Sequence, residues 1–497
     1  LEKVTKTFTS HWMVKMIAVF TGIFVLLVMA VYGYGVNGRL PDGVNVSGWL
    51  PGKMRYPAFQ KALASRLDAL DKQTVYVSGG QKIADAAQEL GLAEPVRPGV
   101  TFTLRQLGVR WNAQEIEAEL APLFQGTAWS RARARWRFER ELTLTARVDT
   151  AALQRTVDAA WAPLQRTQPA DAERRITAGD RVVYKPHRAG YRVDTAKLAQ
   201  ALTARLPGPL WAAVQPAPPL RQELALRRVE PPLTLAKLQA RGVRGLVSAF
   251  STPIRSKGAG REHNMSAAAQ QMYDMELAPG AVFDYARVIK AAEKNFGFRA
   301  APVILNGKMV PGVGGGICQV SSTLYAAALR LGLEIVERRN HSLPVSYATL
   351  GQDATYAGGY INFKFKNTTG HHLVIRTYLE DGRVVAKLFG SMPEGVSYDI
   401  VSKTVKTLAP KVKYVRNTSL PIGSEQVLQK GKEGYVVETY RYKKMNGRIV
   451  SSERISKDTY KAQPALVAAN TGNTPLPNPA EPRKEPDVIE DGVAVAW

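Results

Sequence analysis

The chain has 497 residues, 45% of them hydrophobic and 22% charged, too many for one ordinary core, so three or more folded units are expected. Lysine and arginine number 67 against 42 acidic residues, and the formal net charge of +25 points to an anionic partner: a wall polymer, a lipid surface or nucleic acid. The single cysteine, Cys318, excludes an internal disulfide, a zinc knuckle and an iron–sulfur site, but leaves a nucleophile open.

From Met16 to Val36 the chain runs for 21 residues without a charge, long enough as a helix to cross a hydrocarbon core of about 30 Å. Lys3, Lys6 and Lys15 precede it against Glu2, and Arg39 and Asp42 follow. That bias predicts a cytoplasmic N-terminus over 1–15, a single-pass anchor in the cell membrane over 16–36, and the remainder outside. A cleaved signal peptide is the competing reading, because Val28, Met29 and Ala30 loosely resemble a cleavage site; the apolar run exceeds the about 7–15 residues of a signal core, which favours the anchor. Either reading exports the rest, where the anionic candidates become wall polymers or lipid headgroups. No nucleic-acid motif accompanies the basic stretches, so nucleic acid is not expected as a partner.

Residues 37–232 read as an alanine-rich region with an internal repeat: Arg147-Val148-Asp149-Thr150-Ala151-Ala152-Leu153 recurs 45 residues later as Arg192-Val193-Asp194-Thr195-Ala196-Lys197-Leu198. Each copy leads into an amphipathic helix with Asp or Thr as N-cap. A looser third copy begins at Leu107-Gly108-Val109-Arg110-Trp111-Asn112. Between them, Arg131, Arg133, Arg135 and Arg137 alternate with Ala132, Ala134, Trp136 and Phe138, which predicts a strand with one basic face, either solvated or an anion-binding ledge. A mixed region spans 233–390. A small β module follows over 391–462, rich in β-branched and aromatic alternation, and a proline-rich tail over 463–497, with Pro464, Pro475, Pro477, Pro479, Pro482 and Pro486, is expected to be disordered.

The segment Pro311 to Tyr325 carries Gly314, Gly315 and Gly316 into a predicted helix whose Val320, Leu324, Ala327, Ala328 and Leu331 form one buried stripe, stopped by Gly332. Cys318 therefore falls at a helix N-terminus, where free N–H groups and the helix dipole favour a thiolate and lower its pKa. The glycine N–H groups can approach a substrate carbonyl and supply an oxyanion hole. His341, after a predicted strand Leu333 to Glu337, is the best-placed base, and Asp353 either orients its imidazole or caps a turn. The competing account of Cys318 is a small buried hydrophobe at a helix start. His371 and His372 form no spaced metal motif, and neither His187 nor His263 is expected to bind metal.

Gly314-Gly315-Gly316-Ile317-Cys318-Gln319-Val320-Ser321-Ser322-Thr323-Leu324-Tyr325, Val336-Glu337-Arg338, His341-Ser342, Tyr347 and Gly351-Gln352-Asp353-Ala354-Thr355 strongly resemble the VanW domain. Phe250-Ser251-Thr252, Arg261 with Asn264, Pro279-Gly280 with Phe283, and Phe363-Lys364-Phe365-Lys366-Asn367 fit the same pattern, which covers roughly 245–390. Asp284 stands where the family pattern has serine, and Asn362 where it has an acidic residue. The duplicated region resembles peptidoglycan-binding repeats, and 391–460 is similar to glycine-rich β modules of wall-associated proteins.

The chain is therefore expected to be multidomain α+β: one transmembrane helix, repeated α+β modules, an α+β VanW-like domain and a small β module. The resemblance also implies peptidoglycan work. Cys318, His341 and Asp353 would be catalytic in a cysteine L,D-transpeptidase cross-linking stem peptides, with Gly314, Gly315, Gly316 and Gln319 as the oxyanion and substrate loop. Arg261, Asn264, Ser321, Tyr325 and Arg338 would bind substrate, and no metal or organic cofactor is required. Hydrolysis of the same thioester would give a carboxypeptidase. The alternatives are a non-catalytic wall-binding or scaffold protein, linked to wall maintenance or glycopeptide resistance, and a surface nucleic-acid binder.

Overall fold

The helix Glu2–Val36 opens the chain, and its stretch Trp12–Val36 is long and apolar enough to cross a bilayer, a property a signal sequence shares. Phe20, Phe24, Leu26 and Leu27 on it are exposed, as a lipid-facing surface requires. The computed structural model describes residues 2–206, 218–256, 258–305, 308–477 and 488–495, with the side chains of 2–11, 494 and 495 left aside. Two units divide the chain, Leu1–Asp171 with His187–Thr234 and Ala172–Pro186 with Leu235–Trp497. The expected single boundary at 232/233 is thus crossed by a hairpin, Glu173–Ile176 with Val182–Lys185, that belongs to the second unit.

In the first unit the repeat is a strand-then-helix module. Ala146–Val148 leads into helix Thr150–Ala160, where Asp149 accepts from the N–H groups of Ala151 and Ala152. Gly190–Val193 leads into helix Thr195–Arg205, where Asp194 accepts from Lys197 N–H. Leu153 and Leu198, equivalent positions of the two copies, are both buried in the core with Val75, Val77 and Trp161. Val109–Trp111 followed by helix Ala113–Leu120 repeats the module, and its strand pairs antiparallel with Ala146–Val148.

The arginine-rich stretch departs from its expectation. Residues 128–137 form a helix, not a strand, with Thr127 capping it by accepting from Ser130 N–H. Alanine and arginine are both strong helix formers, and that preference with the cap outweighs a two-residue alternation. Arg135 points inward, its guanidinium over the Phe124 ring at 5.2 Å and bonded to the carbonyls of Arg39, at 2.9 Å, and Asn37. Trp136 is 86% exposed and Trp129 53%.

The second unit is built round the cysteine helix, Ile317–Arg330. An antiparallel sheet in the order Gly245–Pro253, Arg383–Gly390, Leu373–Glu380, Met275–Leu277 covers one side of it. Ser248 Oγ donates to Ala327 O at 2.8 Å and Thr252 bonds Thr323 at 2.8 Å, so polar positions of the helix are satisfied inside the core. Phe283, Phe363 and Phe365 pack on another side, Phe283 and Phe365 stacking at 4.8 Å. Instead of one buried stripe, every residue from Ile317 to Leu329 is buried. A central helix tolerates polar residues where neighbouring backbone answers them, which a hydrophobic pattern does not register.

After this domain the strands Val396–Leu408, Gly434–Met445 and Arg448–Tyr460 form an antiparallel sheet, giving the small β module its expected strand content. The tail departs from the expectation of disorder. Ala465–Ala469 is a central strand between Val412–Arg416 and Glu425–Gln429. Ile489–Glu490 and Ala494–Val495 add to opposite edges of the hairpin Ala300–Leu305 with Lys308–Val313. Short apolar runs between the prolines suffice for strand pairing, though averaged composition hides them. Pro479, Pro482 and Pro486 lie outside the described residues.

Candidate functional site

The glycine loop is aimed by its neighbours. Gly316 has φ +108°, and a Cβ there would meet Arg261 Cγ at 2.9 Å, so only glycine fits this approach. Asn264 Nδ2 donates to Gly315 O at 3.1 Å and to Arg299 O at 3.0 Å, which ties the loop to the strand start and makes Asn264 a positioning residue. Gly314 N–H is bonded to Arg299 O. The N–H groups that converge are those of Gly316 and Cys318, at 3.1 and 2.9 Å from a single oxygen, Oδ1 of Asp491. The other Asp491 oxygen accepts from the Arg261 guanidinium at 3.0 Å.

The Cys318 side chain is fully buried. Its sulfur accepts from Tyr356 N–H at 3.1 Å and its thiol donates to Tyr356 O at 3.4 Å. Burial first, then the Asp491 carboxylate, pushes the thiol pKa well above the ordinary cysteine value. The expected depression by the helix N-terminus is therefore reversed: the same N–H groups that would favour a thiolate are taken up by a carboxylate.

His341 and Asp353 are brought together. Asp353 Oδ2 lies 2.7 Å from both the His341 backbone N–H and its Nδ1, so the carboxylate fixes the ring and its tautomer. Asp353 Oδ1 accepts from Tyr460 O–H and, at 3.3 Å, from Arg338. Burial opposes ionisation of Asp353, but the His341 hydrogen bond and the His341 and Arg338 charges hold its carboxyl down to about 2. Burial likewise opposes a charged imidazole, yet Asp353, with Asp491 and Glu490, carries His341 above the usual histidine value. His341 Nε2 meets Tyr347 O–H at 3.4 Å. Among the described residues no hydrogen bond joins Sγ directly to the imidazole; Tyr347, whose ionisation is suppressed by burial and by the Asp491 and Cys318 charges, feels both sides.

The remaining predicted residues divide between support and core. Gln319 holds Arg261, Thr252 and Pro253 O rather than lining an oxyanion hole. Ser321 Oγ donates to Ala354 O at 2.7 Å and secures the loop after Asp353. Tyr325 is wholly buried, its ring edge-on to Phe363 within the core. Arg338 is a buried strut, its Nη1 donating to both Asp458 carboxylate oxygens at 2.6 and 2.7 Å. The two departures from the family pattern meet each other: Asn362 Nδ2 donates to Asp284 Oδ1 at 2.7 Å.

Sequence reasoning missed Asp458 and Tyr460, which come from the β module, and Glu490, whose Oε2 accepts from Ser342 N–H and Oγ at 3.0 Å. It also missed Asp491. The available signal was Asp491-Gly492 between the apolar pairs Val488-Ile489 and Val493-Ala494, a strand–turn–strand pattern. Among the described residues no group of three or more His, Cys, Asp and Glu could hold a metal ion. In the first unit, an open groove of about 440 Å³ is lined by Gln154, Asp158, Gln165, Arg166 and Arg192.

Residues 260–389 match the family model "VanW like protein", residues 400–471 the "G5 domain" and residues 100–209 the "Putative peptidoglycan binding domain". The uncharacterized protein YoaR of Bacillus subtilis is 37% identical over 142 residues, 29% of this chain and 47% of that protein. The vancomycin B-type resistance protein VanW of Enterococcus faecalis is 28% identical over 148 residues, 29% of this chain and 54% of that protein. The chain thus spans about half the length of the curated relatives it matches. A solved IgA1 protease G5 domain is 28% identical, covers 16% of this chain and 98% of its own, and has a TM-score of 0.13.

Proposed function

We propose that the chain is a cell-wall-associated protein held at the outer membrane face by its first helix, and that Cys318 transfers acyl groups between peptidoglycan stem peptides. The VanW-like and peptidoglycan-binding matches support the wall setting. The open groove beside Arg166 and Arg192 offers guanidinium and amide groups to glycan hydroxyls and stem carboxylates. Exposed Trp129 and Trp136, near Arg131, Arg133 and Arg137 on the helix that is bonded to Asn37 and Arg39, suit lipid headgroups beside the anchor.

One observation carries the chemistry: two N–H groups at the helix start, Gly316 and Cys318, converge on one carboxylate oxygen beside the only thiol. With Asp491 displaced, that position would hold a carbonyl oxygen as negative charge develops on it. Sγ attacks the carbonyl carbon of the third stem residue, and the thiol proton passes to His341 Nε2, directly or through Tyr347 O–H. The C–S bond forms, the C–N bond breaks, and His341 returns the proton to the departing terminal D-amino acid. A side-chain amine of a second stem then attacks the thioester. Its C–N bond forms as C–S breaks, and its proton returns through His341 to sulfur. Asp353 keeps Nδ1 protonated and stabilises the transient imidazolium.

The test is mass spectrometry of the full chain and its Cys318→Ala variant after incubation with disaccharide-tetrapeptides. Cross-linked dimers or a thioester adduct that depend on Cys318 are expected. The non-catalytic binding reading is favoured by the full burial of Cys318 and its pairing with the Tyr356 backbone. Absence of turnover across several stem chemistries, with binding intact, would decide for it.

A further inference from the structure

The segment Val488–Val495 lies across the candidate site in a manner that an incoming peptide could reproduce. Ile489 and Glu490 pair antiparallel with Leu305 and Ile304 on one edge of the hairpin. The chain then turns at Asp491, which takes φ +59°, a conformation that aspartate tolerates better than most residues. Gly492 bridges to Ala357, Val493 N–H donates to Val313 O at 2.8 Å, and Ala494 and Val495 pair with Val313 and Gly312 on the opposite edge. At the centre of this crossing the Asp491 carboxylate fills the Gly316 and Cys318 N–H groups and the buried Arg261.

We propose that Val488–Val495 is a built-in stand-in for substrate, and that the cleft it fills takes an extended peptide bearing a carboxylate, bound by strand addition to the hairpin and by charge to Arg261. This rests on the reading of Cys318 as the nucleophile. Three features fit a displaceable occupant rather than a permanent wall. The strap's strand pairing is confined to two ladders of only two residue pairs each, which is the weak end of strand pairing. Its carboxylate occupies a cationic slot that still carries an unanswered donor, since Arg261 Nε is buried without a partner. Lastly, Glu490 caps Ser342, beside His341, so one short segment occupies the thiol side and the imidazole side together. Main-chain pairing supplies affinity in such recognition, and the side-chain slot supplies selectivity.

The experiment measures Cys318 carboxamidomethylation by iodoacetamide in the full chain, the Asp491→Asn chain and the Gly492→Val chain, with thermal unfolding as the check on folding. Asp491→Asn removes the charge beside sulfur. Gly492→Val leaves every site charge in place and acts by shape, because a Cβ at Gly492 would lie 2.2 Å from Val303 Cγ1 and 2.9 Å from Val313 O. Alkylation at least about tenfold faster in both variants is expected, and a synthetic peptide of residues 488–495 should slow it again in Gly492→Val, while the same peptide with Asn for Asp should not. Unchanged alkylation in Gly492→Val, or a peptide that gives no protection, overturns the proposal. If the variants open and the peptide protects, yet no stem peptide is ever transferred, the strap stands and the transpeptidase reading falls. If the unaltered chain transfers acyl groups as fast as Gly492→Val, the reverse holds.

Discussion

His341 is braced from behind by Asp353, which is itself gripped by Arg338 and Tyr460, with Arg338 anchored in turn on Asp458. Cys318, by contrast, has its own N–H and that of Gly316 taken up by Asp491, on a strap with two-residue ladders, while its sulfur is paired with the Tyr356 backbone. The imidazole side draws its support from two distant sequence segments and is buried throughout; on the thiol side the thiol is buried as well, but the converging N–H groups are taken up by a short segment with little strand pairing. On the proposed acyl-transfer reading, a site divided in this way would keep His341 preorganised while Cys318 stays protonated until a substrate takes the strap's place.

The largest expected effect breaks the braced half. Asp353→Asn leaves the ring its neighbour but not its charge or its tautomer, and turnover should fall about 10⁴-fold, measured as cross-linked dimer formed per unit time. Arg338→Ala strands Asp458 as a buried carboxylate without its ion pair and takes one of its charges from Asp353, and should cost about 3–5 kcal/mol of unfolding free energy, read from denaturant midpoints. Tyr347→Phe removes the hydroxyl that meets His341 Nε2; turnover should drop up to about 10²-fold with the unfolding midpoint nearly unchanged, and equal turnover would remove Tyr347 from the proton path.

The smallest effect is a pH window. The Asp353 carboxyl is held at about 2 against an ordinary 3.8, so its stabilisation is complete above about pH 4 and fades as pH falls through 2, about 2 kcal/mol in all. His341 is shifted the other way. Its contribution is complete below the unfolded histidine value of 6.5 and is lost as pH rises through the higher folded value. Stability of the second unit should therefore dip on both sides of the range between them, and Asp353→Ala should flatten both slopes.

Local features of the sequence were legible and distant ones were not. Cys318 at a helix start after three glycines, and His341 with Asp353 twelve residues on, are short-range patterns that survive folding unchanged. The duplicated strand–helix modules were equally plain, since each carries its own cap. Arg131 to Arg137 misled because alternation was weighed and helix preference was not. Asp458 and Tyr460 were hidden because a strand of the β module meets the Asp353 loop only in three dimensions. Asp491 was concealed twice over, by 173 residues of separation from Cys318 and by a proline-rich setting whose average composition reads as disorder.

Because the strap is part of the same chain, it never dilutes. A tethered segment competes for its cleft at an effective concentration on the order of millimolar, whereas a soluble wall fragment at micromolar levels competes at its bulk concentration alone. Only material as locally dense as an assembled polymer pressed against the membrane could win that contest routinely. The carboxylate on Arg261 would then act as a threshold, keeping the thiol silent among stray fragments and admitting substrate where the wall itself is at hand.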